Sequence, residues 1–160
     1  GYEKVVINTG LIRNPNLIKQ AVEYFGSQSI VASIDAKIIN NSYKCVISDG
    51  NEIVDKSPTE LAKEAEDLGV GEVIINSVDR DGMMQGYDIQ LVRSVVDTVK
   101  VPVTAVGGAG GIEDLKMVLE DGHAHAAAGG SMFVYYGKLR AVLITAPNEA
   151  ELIKEGIYIN

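Results

Sequence analysis

Val101-Pro102-Val103-Thr104-Ala105-Val106-Gly107-Gly108-Ala109-Gly110-Gly111 decides the fold. A β-branched apolar run ends abruptly in glycine, the texture of a buried strand in a parallel sheet. Working outward, the same texture recurs at Val5–Ile7, at 30–34 and at 73–75, with a small-residue run at 124–128. Helical spacing fills most of the intervals. Leu17, Ile18, Ala21, Val22 and Phe25 make one apolar face after the turn at Asn14-Pro15. Leu61, Ala62, Ala65 and Leu68 make a second, opened by Ser57-Pro58 with Glu60 as capping-box partner. Ile89, Leu91, Val92, Val95, Val96 and Val99 make a third, and Leu115, Val118 and Leu119 a fourth. Gly26, Gly69 and Gly122 fall where three of these helices should stop. Strand alternating with helix at this spacing is the βα repeat of a parallel sheet, with five strands and about four and a half helices.

Composition narrows the function classes. The 160 residues suit one domain with a modest core. Fourteen Lys and Arg stand against 22 Asp and Glu, a net charge of −8. That balance argues against nucleic-acid binding, which needs a basic surface for phosphates, and against a polybasic membrane-surface protein. Hydrophobic residues make up 46% and charged residues 22%, a globular composition. Cys45 is the single cysteine, so neither an intrachain disulfide nor a cysteine-based zinc cluster is expected, and the setting is read as reducing and cytoplasmic. In that setting the glycosylation match Asn40-Asn41-Ser42 is fortuitous. No apolar run approaches the ~20 residues of a bilayer span, and no signal-peptide pattern opens the chain. Gly1-Tyr2-Glu3-Lys4 instead leads straight into a strand, which reads as part of a longer product.

The segment 37–54 breaks the rhythm. Tyr43-Lys44-Cys45-Val46-Ile47 and Glu52-Ile53-Val54 flank Ser48-Asp49-Gly50-Asn51, a hairpin signal whose segment reads either as a surface excursion or as a flap over a site. Parallel βα units close as an open doubly wound sheet or as a (β/α)₈ barrel. A full barrel needs ~250 residues, so this length would supply about five of its eight units. The doubly wound alternative fits the length better, but it gathers polar residues at one switch point. Here every strand ends in polar or glycine residues: Asn8-Thr9-Gly10, Asp35-Ala36-Lys37, Ser77 to Gly82, Gly107 to Gly111, and Gly129-Gly130-Ser131.

Those ends carry the candidate chemistry. Gly107 to Gly111 alone reads equally as a tight turn, but joined to Gly82 and Gly130-Ser131 it suggests a phosphate cradle. Asp35 leaves an apolar strand at the rim as a candidate acid or base, with a helix cap or a Lys37 ion pair as the structural alternative. Asp81 has the same ambiguity, with Asp79 and Arg80 beside it. Two aspartates on one ring suit proton shuttling in a ring closure or isomerisation. His123 and His125 lack acidic companions and read as structural, so no metal site is expected.

Lys4-Val5-Val6-Ile7-Asn8-Thr9, Phe25-Gly26-Ser27-Gln28, Ser33-Ile34-Asp35-Ala36-Lys37, Ser77-Val78-Asp79-Arg80-Asp81-Gly82 with Gly86-Tyr87-Asp88, and Gly107-Gly108-Ala109-Gly110 together resemble the cyclase subunit of imidazole glycerol phosphate synthase. The resemblance runs to about Phe133. It implies an α/β fold, a (β/α)₈ TIM barrel, with residues 1–160 as the C-terminal portion of its single domain, from the fourth strand to the eighth. It implies a lyase/cyclase that takes ammonia from a glutaminase subunit and splits and cyclises a phosphorylated nucleotide-sugar substrate. The products are imidazole glycerol phosphate and an aminoimidazole carboxamide ribotide, and no cofactor is needed. By match, Asp35 and Asp81 are catalytic. Asn8 and Thr9 match one phosphate site, and Gly82, Gly108, Gly130 and Ser131 a second. Lys4 and Glu72 match the gate of an ammonia channel at the opposite face, with an ordinary ion pair as their structural alternative. The principal first-strand aspartate has no counterpart, so this chain alone is expected to be inactive.

Two departures stand out. Val106 replaces the family's usual serine before Gly-Gly, and the stretch from Met132 to Ile144 differs from the histidine-pathway ending. That tail is similar to a paralogous subgroup thought to pass ammonia to a sugar amidotransferase in bacterial surface-sugar synthesis.

Overall fold

The computed structural model describes residues 1–48, 50–137 and 139–157. The chain runs through β1 (Val5–Ile7), α1 (Thr9–Arg13), α2 (Pro15–Phe25), β2 (Ile30–Ile39), β3 (Ser42–Ile47), β4 (Glu52–Val54) and α3 (Pro58–Asp67). It continues through β5 (Glu72–Ser77), α4 (Ile89–Val96), β6 (Val103–Val106), α5 (Ile112–Glu120) and β7 (Ala126–Ala127). The tail adds α6 (Ser131–Val134), β8 (Tyr135–Tyr136), β9 (Ala141–Val142) and α7 (Glu149–Lys154).

β1, β2, β5, β6 and β7 lie side by side in chain order, all parallel. A doubly wound sheet reverses its strand order at a switch point. This one does not reverse, and its sequential order is that of a barrel wall. Alternation along each strand separates two faces. Ala32, Ile34, Ala36, Val73, Ile75, Val103 and Ala105 are buried and join the core beneath the helices. Ser33, Asp35, Glu72, Ile74, Asn76, Thr104 and Val106 point the other way and are half-buried. Of the strands read as buried on both faces, β2, β5 and β6 are therefore fully packed on one, whereas β1 and β7 are largely exposed.

Local rules account for the helices. Asn14 accepts the Leu17 N–H at 3.3 Å and Pro15 opens α2. Ser57 and Glu60 form the expected reciprocal capping box of α3. Gly26 and Gly69 take positive φ at helix ends, whereas after α5 the left-handed residue is His123 and not Gly122. Gly122 is needed for close approach, since a Cβ there would lie 2.5 Å from the Val118 carbonyl oxygen.

The hairpin expected around residues 48–51 is present, as β3 and β4 pair antiparallel. β2 continues past Asp35 to Ile39, and β3 and β4 extend the sheet antiparallel along its edge, above β1. Asn40 and Asn41 both have positive φ, as a two-residue hairpin turn requires. Asp49, part of the hairpin signal at 48–51, lies outside the described residues. Cys45, Val46 and Ile47 are buried, so the hairpin is tied down by its own apolar face.

Candidate active site

At the C-terminal end of the parallel strands, three polar side chains from three strands or strand ends meet. Asp35 and Asn76 are register partners on β2 and β5. Asn76 Nδ2 donates to Asp35 Oδ1 at 2.9 Å, and Asn8 Nδ2 donates to Asp35 Oδ2 at 3.1 Å. Asn8 also donates to the Ser33 carbonyl at 3.1 Å, and Thr9 donates to Asn8 Oδ1 at 3.3 Å. Both carboxylate oxygens are thus held, and Asp35 presents itself at a fixed orientation toward the open face. Neither a helix cap nor a Lys37 ion pair engages Asp35 among the described residues. Asn76 Oδ1 is buried with no partner among the described residues, 2.8 Å from where a Cβ on Gly107 would stand. A buried unpaired acceptor needs a physical reason; the tight turn of Gly107 (φ 90°) is what packs against it.

The glycine-rich ends form a cradle beside this cluster. Asp81, Gly82, Gly108, Gly129, Gly130 and Ser131 share one small concavity with Val106 and Ala109. Among the described residues, the backbone N–H groups of Gly82, Gly108, Gly129 and Gly130 donate to no protein acceptor. Successive unpaired N–H groups around a concavity make an anion site. The glycines play different parts. A Cβ on Gly108 would stand 2.2 Å from the Gly86 carbonyl oxygen, whereas one on Gly130 would meet nothing within 4 Å. Gly108 is therefore needed by the fold and Gly130 by the open space. Gly110 and Gly111 turn away, donating to the Asp114 carboxylate at 2.8 and 3.1 Å.

At the other end of the same face, Lys4 Nζ lies 2.7 Å from Glu72 Oε2, and Thr104 donates to Glu72 Oε1 at 2.6 Å. Burial pushes the Glu72 carboxyl up, but these two donors outweigh it and hold the group below the usual carboxylate range. Asn76 lies four residue steps along β5 from Glu72, about 13 Å at the parallel-strand rise. Ser33, Ile74 and Thr104 share the level between, and Val106 is level with Asn76. His123 and His125 belong to the strand bases, where His125 Nδ1 accepts the Val103 N–H at 3.2 Å.

The loop after β5 is braced by side-chain hydrogen bonds. Tyr43 donates to Asp88 Oδ1 at 2.9 Å, and the same oxygen caps α4 through the Leu91 N–H at 3.1 Å. Burial, and then the Asp88 carboxylate, pushes the Tyr43 phenol up to about 12. Tyr87 donates to the Ala128 carbonyl at 2.8 Å, tying the loop to the end of β7. Arg80 holds the Gly86 and Tyr87 carbonyls, and Asp79 accepts the Ile38 N–H, so neither pairs with Asp81. Asp81 is exposed at the cradle rim. Asn76 is the site residue that the sequence motifs do not include. Asn76 had a signal, as the polar residue closing the run 73–75. No group of three or more His, Cys, Asp or Glu among the described residues could hold a metal, and no described helix is long and apolar enough to cross a membrane.

A family model described as histidine biosynthesis protein matches residues 1–140. A Leptospira borgpetersenii protein provisionally named imidazole glycerol phosphate synthase subunit HisF is 38% identical over 160 residues, 99% of this chain and 62% of that protein. A Pseudomonas aeruginosa protein provisionally named subunit hisF2 of the same synthase is 44% identical over 153 residues, 95% of this chain and 61% of that protein. The imidazole glycerol phosphate synthase subunit HisF of Pyrobaculum aerophilum is 45% identical over 113 residues, 71% of this chain and 45% of that protein. The chain spans about three fifths of the length of the first two of these curated relatives.

Proposed function

This chain belongs to the histidine biosynthesis protein family, and on that premise we propose that it carries part of the active face of an ammonia-using cyclase. The proposed reaction splits and cyclises a phosphorylated nucleotide-sugar, giving imidazole glycerol phosphate and an aminoimidazole carboxamide ribotide. Residues 1–160 are then the C-terminal portion of one TIM-barrel domain. The observation that carries this reading is the polarity of one sheet face: a held carboxylate and an anion cradle at one end, an ion pair at the other.

In this reading the cradle N–H groups of Gly82, Gly108 and Gly130, with Ser131, bind one substrate phosphate, and Thr9 beside Asn8 meets the other. Asn8's amide is engaged with Asp35, so its phosphate contact falls to its backbone. Asp35, oriented by Asn8 and Asn76, exchanges protons with the reacting atoms as general acid and base. Asp81, at the cradle rim, serves the proton transfers nearer the bound phosphate. Ammonia from a glutaminase subunit passes Lys4 and Glu72, follows Ser33, Ile74 and Thr104, and reaches Val106 beside Asn76. A neutral molecule crosses that largely uncharged stretch without the desolvation cost an ion would meet.

A second reading is favoured by the tail. The family match ends at residue 140, and the relatives aligning over 153 to 160 residues carry provisional or numbered names, while the Pyrobaculum aerophilum protein aligns over 113. In that reading the protein conducts ammonia to an enzyme that amidates a bacterial surface sugar. Growth of a histidine auxotroph lacking its own cyclase, supplied with the full gene, separates the two. Rescue supports the cyclase, and failure by a stable, expressed protein supports the conducting subunit.

A further inference from the structure

We propose that Arg140 is the cation of the phosphate cradle, brought to it by the β8–β9 hairpin, and that it selects a phosphate dianion over uncharged ligands there. The inference rests on the phosphate reading of the cradle given above. The cradle is built from neutral backbone donors, and among the described residues the one charged side chain on its wall is the Asp81 carboxylate, which repels an anion. Arg80, nearest in sequence, has its guanidinium turned to the Gly86 and Tyr87 carbonyls and lies 3.9 Å from Asp88. Arg140 comes from the tail instead. Its Nη2 donates to the carbonyl of Gly82 at 2.8 Å, placing the guanidinium on a residue of the cradle wall.

The hairpin holds that position by several contacts. Tyr135 pairs with Val142 and Tyr136 with Ala141. The Leu143 N–H donates to Val134 at 2.9 Å and the Thr145 N–H to Phe133 at 2.8 Å, fastening the returning strand to α6, which begins at the cradle residue Ser131. The Arg140 guanidinium also lies 4.9 Å from the centre of the Tyr135 ring, a cation–π arrangement that orients its plane. Among the described residues Nε and Nη1 donate to no protein group, so one bond anchors the side chain and its other donors remain for a ligand oxygen.

The test is calorimetric titration of the intact protein with inorganic phosphate at low salt, comparing wild type, Arg140→Gln, Arg140→Lys and Gly130→Val. Arg140→Gln keeps a donor for the Gly82 carbonyl and removes the charge. The expected result is about tenfold weaker binding for Arg140→Gln, with Arg140→Lys within about threefold of wild type. The wild-type affinity should also fall more steeply with salt than that of Arg140→Gln. Gly130→Val should abolish binding. If Arg140→Gln binds like wild type while Gly130→Val does not bind, Arg140 is only a tether and the proposal is overturned with the cradle intact. If wild type does not bind phosphate, or Gly130→Val binds equally well, the cradle reading itself fails and the proposal falls with it.

Discussion

Asn76 donates its side-chain amide to Asp35 from the register-matched position of the neighbouring strand, 2.9 Å away and 41 residues later in the chain. The pair turns a lone strand carboxylate into an oriented one, because Asn8 holds its second oxygen from the other side. A hydrogen bond to a charged acceptor contributes more than one between neutral groups, and its loss shows first in geometry.

If the proposed cyclase reading holds, Asn76→Ala in the full-length protein should therefore lower kcat by about ten- to a hundredfold with KM nearly unchanged. Asn76→Gln should not restore it, since the longer side chain misplaces the amide. Steady-state kinetics of the intact enzyme with ammonium as nitrogen source provide the check, and a wild-type kcat in Asn76→Ala would remove Asn76 from the site.

The two cradle glycines should respond to valine in opposite ways. Gly108→Val forces a Cβ into the Gly86 carbonyl at a positive φ, which should cost about 3 kcal/mol or more of stability. Gly130→Val places its side chain in open space, so its thermal midpoint should stay within about 2 °C of wild type while phosphate binding is lost. Denaturation curves of the two variants decide the matter. Equal destabilisation would contradict the division between fold and cradle.

Glu72 should contribute a pH-dependent part of the stability. Its folded pKa lies below the unfolded value, so the contribution is present above the unfolded range of about pH 4.3 and is lost as pH falls through the lower folded value. Wild type should accordingly exceed Glu72→Gln in thermal midpoint at pH 7, and the gap should narrow below about pH 4. A gap that stays constant from pH 7 to pH 3 would show that the Lys4 and Thr104 contacts do not favour the carboxylate.

Cys45 is fully buried on β3, and burial pushes its thiol up to about 12. Thiolate is the reactive form, so native protein at pH 8 should resist aromatic disulfide reagents and react fully once denatured. Rapid labelling without denaturant would mean that the β3–β4 hairpin opens readily.

The sequence by itself determined the five parallel strands and the four longer helices α2 to α5. Strand texture, the Ser57–Glu60 capping box, the Pro15 start of α2 and the glycine stops of α2 and α3 act within a few residues, where periodicity and hydrogen-bond geometry leave little choice. The gathering of polar strand ends on one side was legible for the same reason, since parallel strands all point one way. Tertiary structure alone decided which of those residues touch. The Asp35–Asn76 pair depends on the register of two strands, the Tyr87–Ala128 bond on a loop meeting a strand 41 residues on, and the Arg140–Gly82 contact on a tail returning across 58 residues. It also decided that β2 runs past Asp35 to pair with β3, because the extra residues gain a partner strand and buried side chains that no local pattern announces. Such contacts come from register and packing summed over the whole sheet, and a one-residue slip would have turned Asp35 to the helices and left the cradle beside an apolar wall.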